Sequence, residues 1–343
     1  MGDARGRRRR VEKLALVASL VAIVIAGFTA FAAQRGAASS PRSAKAGVVV
    51  VETRLAYGGA AAGTGIVLTS SGEVLTNNHV IRGASAIHVI VPGTGRSYSA
   101  AVVGYSVPRD VALLALRGAS GLQTAVIGNS STVRVGDRVT AIGNAGGTGV
   151  LSTKTGRLTA LRRTITVSDD DGGSARLSDV MVTSAPLRPG DSGGPLLSHG
   201  RVVGIDAAAS RTFAFEGGGQ GFAIPINTAV GLVGQISAGH ATSTVHVGPT
   251  AFLGVGLQRA SGFGQTTAGA VVDNVAQGSP AETAGLTSGD VITSLARHRV
   301  TSANGLRSLI LRLTPGQAVK LAWIDDFSGA NSATVRLVSG PPQ

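Results

Sequence analysis

The sequence contains no cysteine, which excludes disulfides, thiolate nucleophiles and cysteine-held metals at once. Aromatic residues are also scarce, at 3% with a single Trp. Acids are the minority among the charged residues, 18 against 31 Lys and Arg, leaving a net charge of +13. A cluster at Arg5 and Arg7 to Arg10 supplies much of that charge, with no aromatic stacking motif beside it, so nucleic acid is not an expected partner. Before residue 227 no long amphipathic helix is legible. What the chain does have is 43% hydrophobic residues and 50 glycines in 343 positions, enough for two or three folded units built from short strands and tight turns.

The N-terminal stretch stands apart. Leu14 to Ala33 runs without a charge over about the length a helix needs to cross a bilayer. Five arginines and Lys13 precede it and only Arg35 closely follows, so residues 1–13 read as a cytoplasmic tail, 14–33 as an uncleaved single-pass anchor and the rest as extracytoplasmic. The alternative is a cleaved signal peptide, since Ala30 to Ala32 fits a small-x-small site. Residues 34–46 form a small, polar tether.

From there, short runs such as "GTGIVLT", "DVALLAL", "DRVTAIG" and "RVVGIDA" follow one another between Gly, Ser, Asn and Asp, the pattern of a barrel or sandwich. Asp169 to Gly173 reads as a solvated turn, lacking the spacing of a calcium loop. This first domain is expected over 47–235, a linker over 236–248, and a small mixed domain over 249–340. In the latter, "FLGVGLQ" reads as one strand, and Leu306, Leu309, Ile310 and Leu313 mark one apolar helix face.

The chemistry concentrates in "LRPGDSGGPLL". A serine hydroxyl needs a base to take its proton, and the developing oxyanion needs N–H donors aimed at it. The glycines around Ser192 let the backbone approach a substrate, with the N–H groups of Gly190 and Ser192 as oxyanion donors. The stretch also fits the G-x-S-x-G elbow of α/β-hydrolases, but an elbow runs into a helix, whereas Gly193, Gly194 and Pro195 lead into a hairpin-like alternation. That disfavours an esterase. A base and an orienting acid upstream, in the order His, Asp, Ser, are supplied by His79 in "TNNHVI" and Asp110 in "RDVALLAL".

With "AIGNAGG", "RPGDSGGPL" and "GQGFAIPIN", these motifs resemble trypsin-like serine proteases of the HtrA (DegP/DegS-like) family over roughly residues 47–340. The resemblance implies a mainly β fold of two six-stranded barrels, with His79 as general base, Asp110 holding its tautomer and Ser192 as nucleophile, and no cofactor or metal. It also implies a homotrimer. Residues 251–310 resemble a PDZ domain, in which N–H groups of Leu253, Gly254 and Val255 would receive a peptide's terminal carboxylate, and Val255, Leu257, Leu306 and Ile310 would line a side-chain pocket.

Three departures from the family pattern stand out. Asp191 occupies a position where the family usually has Asn, as in digestive enzymes whose equivalent acid pairs with a freed N-terminal amine; here Arg188 could pair with it, or the oxyanion loop could rest inactive. Ala207 replaces a common Thr that would help hold Asp110, and "AIGNAGG" lacks the usual Pro-Phe. Pro186, six before Ser192, is no acid, which argues against Lys or Arg specificity; by resemblance Ala223 and Ile224 would line an apolar pocket. The expected activity is a membrane-anchored extracytoplasmic endopeptidase acting on misfolded or signalling proteins. A chaperone or peptide-binding protein with a latent protease is the alternative.

Overall fold

The structure, a computed structural model, describes residues 44–343 except 57, 169–173, 208–213, 216–220, 259–268, 326 and 328. The expected tail, the anchor, nearly all of the tether and the acidic turn at Asp169 lie outside the described residues. Among the described residues no helix is long and apolar enough to cross a membrane.

Six strands close the first barrel: β1 (Val48–Leu55), β2 (Ala60–Val67), β3 (Glu73–Thr76), β4 (Ala84–Val91), β5 (Arg96–Ser106) and β6 (Val111–Leu116). All neighbours are antiparallel, and β5 pairs with β6 to close the ring. The near-continuous apolar runs in β1 and β6 have a simple cause, because both faces of these strands are buried. Val49, Val51, Ala112 and Leu114 fill the barrel, while Val48, Val50, Val111 and Leu113 point the other way into a second cluster.

That second cluster joins two barrels. The other is built from β7 (Arg138–Gly143), β8 (Ser152–Ser168), β9 (Ser174–Thr183), β10 (Pro195–Ser198), β11 (Arg201–Ala207) and β13 (Gly221–Pro225), with β12 (Ala214–Phe215) added outside β8. Ile142, Leu197, Val202, Ile205 and Ile224 meet the first barrel's outer face, and Ile226, Leu232 and Ile236 of a helix over Ile226–Ser237 complete the shared core. Burying large aliphatic side chains in this way stabilises by about 1.5–3 kcal/mol each.

The expected linker is folded. Within residues 236–248, β14 (His246–Val247) adds an edge strand to the first barrel, with His246 opposite Tyr105 and Val247 opposite Gly104. The reason lies in its apolar anchors: Val245 is buried in the shared core, Val247 packs against it, and the His246 ring lies 4.9 Å from that of Tyr105.

The expected strand "FLGVGLQ" is also divided. β15 (Thr250–Phe252) pairs with β22 (Val338–Gly340), and after a turn at Leu253 and Gly254, β16 (Val255–Leu257) opens a separate sheet. That sheet runs β16, β17 (Ala270–Val275), β18 (Val291–Leu295), β20 (Ala318–Ile324), β21 (Ala330–Arg336), with β19 (His298–Arg299) paired to β18. Helices over Pro280–Thr283 and Ala303–Ile310 pack on it, each started by a serine side chain, Ser279 and Ser302, accepting an N–H of the first turn. This domain touches the first barrel: the His246 Nδ1–H donates to the Leu311 carbonyl, and the Tyr105 hydroxyl meets that of Thr250 at 3.0 Å.

Candidate active site

His79 sits on a one-turn helix, α1 (Asn78–Ile81), directly after β3, and Asp110 immediately precedes β6, its partner strand. The pairing of β3 with β6 therefore fixes both residues on rigid backbone. Asp110 adopts a left-handed conformation, φ 52°, which Asp tolerates better than most residues. In that conformation one carboxylate oxygen accepts the His79 backbone N–H at 2.9 Å and the other lies 2.8 Å from His79 Nδ1. The Asn77 side chain donates to the Asp110 carbonyl at 2.9 Å. Both carboxylate oxygens are thus occupied by His79, and Ala207 supplies nothing.

Ser192 lies in the turn before β10, held from both barrels. From the first barrel, the Thr64 N–H donates to the Ser192 carbonyl at 2.8 Å, while the Thr64 hydroxyl donates to the Gly190 carbonyl at 2.7 Å and accepts the Asn144 N–H at 2.9 Å. From the second, the Gly193 N–H donates to the Asp206 carbonyl and the Asp206 N–H to the Gly194 carbonyl. Gly190 and Gly193 have φ of 95° and 85°, and a Cβ at either would run into backbone, of Asn144 and Thr64 respectively. Small residues flank Ser192 because the turn is both left-handed and crowded. Among the described residues no protein acceptor takes the Gly190 N–H.

Asp191 has a partner that the sequence reading missed. The Lys154 ammonium, on β8, lies 2.8 and 2.7 Å from the two Asp191 carboxylate oxygens, and one of these also accepts the Arg188 backbone N–H at 2.7 Å. The expected Arg188 contact is corrected accordingly: its backbone holds Asp191, whereas the charge comes from Lys154. Nearby, Asp206 is fully buried, and neither of its carboxylate oxygens has a hydrogen-bond partner among the described residues. Burial, reinforced by the negative charge of Asp191 and opposed by Lys154, pushes its pKa well above the ordinary carboxylate value.

A His–Asp couple on one barrel and a clamped Ser turn on the other is the arrangement of trypsin-like peptidases, and residues 63–205 match the trypsin-like peptidase domain, residues 251–326 the PDZ domain. The serine protease Do-like HtrA of Lactococcus lactis strain IL1403 is 32% identical over 293 residues, covering 80% of this chain and 70% of the relative. The chain belongs to the HtrA family of serine proteases. A probable periplasmic DegP-like serine endoprotease of Chlamydia trachomatis is 36% identical over 76% of the chain but half of its own length, and the serine protease PepD of Mycobacterium tuberculosis is 30% identical over 84% of the chain and 63% of its own. A solved HtrA-type protease, AlgW with tripeptide, shares 28% identity at a TM-score of 0.49, covering 87% of this chain and 95% of that one.

Within this HtrA-type serine endopeptidase the remaining expected site residues fall as follows. Ala223 and Ile224, adjacent on β13, point to opposite faces: Ala223 packs with Met181, Ala185 and Leu196 inside the second barrel, Ile224 in the core between barrels. One pocket cannot be lined by both, and both side chains are buried in cores, at 0% and 3% exposure. Leu187, five residues before Ser192, is half-buried against the same cluster as Ala223. In the PDZ domain Leu253, Leu306 and Ile310 are core residues, whereas Val255 and Leu257 are half-buried on β16, an edge strand. The expected pocket thus loses Leu306, fully enclosed by the domain.

Proposed function

We propose that this HtrA-type endopeptidase hydrolyses peptide bonds of extracytoplasmic protein substrates through His79, Asp110 and Ser192. The observation that carries the assignment is the double grip of Asp110 on His79, backbone and ring together, beside a Ser turn clamped from two barrels. In this reading the Asp110 contact keeps the proton on Nδ1, so that Nε2 accepts the Ser192 proton as Oγ attacks the carbonyl carbon. The N–H groups of Gly190 and Ser192 receive the oxyanion. Collapse expels the amine with the proton from His79, and water, activated by the same imidazole, releases the acid and restores Ser192. His79 begins and ends neutral.

The PDZ domain, in the same reading, adds an extended peptide to the open edge of β16, with main-chain bonds giving affinity and Val255 and Leu257 contacting side chains. Residues 14–33 tether the enzyme to the membrane with its N-terminus cytoplasmic, and the family resemblance suggests a homotrimer; fractionation of the full chain and sedimentation analysis test these two points. Unfolded casein tests the chemistry. The parent is expected to cleave it and Ser192→Ala to leave it intact; equal cleavage by both would overturn the assignment. The rival of a latent protease was prompted by Asp191 and Ala207; the Lys154 counter-ion of Asp191 speaks against the first ground, while Ala207 still offers Asp110 no hydroxyl.

A further inference from the structure

Lys154 is one of four lysines among the chain's 31 basic residues, and it stands on the inward face of β8, alternating with exposed Thr153 and Thr155. The β7–β8 register sets it opposite Ala141, and the Ser152 hydroxyl accepts from its ammonium at 3.0 Å. The pair it makes is nearly dry, with the Lys154 side chain 12% exposed and that of Asp191 1%. Asp191 lies between the two residues whose N–H groups face the oxyanion in the reading above. Its backbone joins the same turn, its own N–H reaching the Arg188 carbonyl and its carbonyl receiving the Gly194 N–H. A carboxylate so buried is costly to leave without its cation, and Asp191 shares one hydrogen-bonded turn with Gly190 and Ser192.

We propose that Lys154 is a positioning residue for hydrolysis: its ammonium is a permanent internal counter-ion that holds Asp191, and through it the Gly190–Ser192 turn, in the oxyanion-binding shape, so that no chain terminus must be freed to activate the enzyme. This rests on the assignment of Ser192 as nucleophile. The neighbouring Asp206 fits the arrangement. Burial raises its pKa, and neither of its oxygens has a hydrogen-bond partner among the described residues, whereas both Asp191 oxygens meet the ammonium.

The test uses the full chain, a fluorogenic peptide and a fluorophosphonate probe, with parent, Lys154→Met, the double variant Lys154→Met/Asp191→Asn, and Ser192→Ala. Lys154→Met is expected to lose at least about a hundredfold in kcat and in labelling rate with KM changed less than about threefold, as befits lost oxyanion donors. The double variant, which removes both buried charges and leaves a neutral side chain at 191, is expected to regain activity to within about tenfold of the parent. A purely structural lysine would lower melting temperature in both without this rescue. Activity of folded Lys154→Met within threefold of the parent would overturn the proposal. So would a folded double variant no more active than the single one. If Lys154→Met fails to fold, the double variant alone decides, since high activity upholds the mechanism and low activity in a folded sample refutes it. Ser192→Ala reports separately on the assignment beneath: labelling that survives in it sinks that reading, whatever the Lys154 variants do.

Discussion

The two halves of the site are held by different physics. On the first barrel, His79 and Asp110 flank paired strands and hold each other through two contacts, with a polar side chain, Asn77, behind them. On the second, Ser192 rides a left-handed, glycine-flanked turn that has no regular structure of its own and is kept in shape by Thr64 from one side and a buried ion pair from the other. Backbone regularity secures the His79–Asp110 half, whereas buried charge secures the Ser192 half. The lesson is that the second half is the more fragile, because a buried pair fails badly when one partner is lost.

Several substitutions can break this contrast, beginning with the residues proposed to react. Ser192→Ala should lower kcat by about 10⁶-fold, and Asp110→Asn, which spoils the tautomer while keeping the shape, by about 10⁴-fold, both read by casein or peptide hydrolysis. Melting of these two variants should stay close to the parent for Ser192→Ala and fall for Asp110→Asn, which weakens the grip on His79. If the nucleophile half is the fragile one, Lys154→Met should cost about 3–5 kcal/mol in denaturant unfolding. Asp191→Asn should cost less, since the amide keeps the shape and its oxygen can still accept from the Lys154 ammonium or the Arg188 N–H.

Thr64→Val comes next, keeping volume but removing a hydroxyl that serves both Gly190 and Asn144. Two buried backbone groups are left without partners, at about 1–3 kcal/mol each, and a drop in kcat of about tenfold with little change in KM is expected. A change confined to KM would place Thr64 outside the turn's support.

The smallest effect has the clearest sign. Asp206 has a folded-state pKa raised by burial above the ordinary value of 3.8. Below about pH 4 its carboxyl is neutral in folded and unfolded chains alike; above that, the unfolded chain releases the proton while the folded one retains it, so stability declines until the folded pKa is passed. Asn is neutral throughout. Asp206→Asn should therefore gain on the parent as pH rises from 4 toward 8 and show no such trend below pH 4, measured as the difference in melting temperature across that range.

Legibility follows the same division. His79, Asp110 and Ser192 could be picked out as candidates because each sits in a short local motif at a strand boundary. Lys154 and Thr64 were not, since they meet the Ser192 loop across 37 and 126 residues of sequence. The signals were present but faint: strict alternation along β8 puts Lys154 on the same inward face as Leu158, and Thr64 is a buried polar residue in an apolar strand. The barrels were legible from their β-branched runs, but not that β1 and β6 bury both faces. Pocket and linker readings failed for lack of register. Strand alternation separates Ala223 from Ile224, and the pairing of His246 with Tyr105 turns a polar connector into an edge strand.

The most direct measurement is stoichiometric labelling of the full chain with a fluorophosphonate, followed by mapping of the modified peptide by mass spectrometry. The account predicts one adduct per chain, on Ser192, with labelling abolished by His79→Ala and casein cleavage lost in step. An adduct on any other residue, or casein cleavage that continues after Ser192 is fully modified, would contradict it.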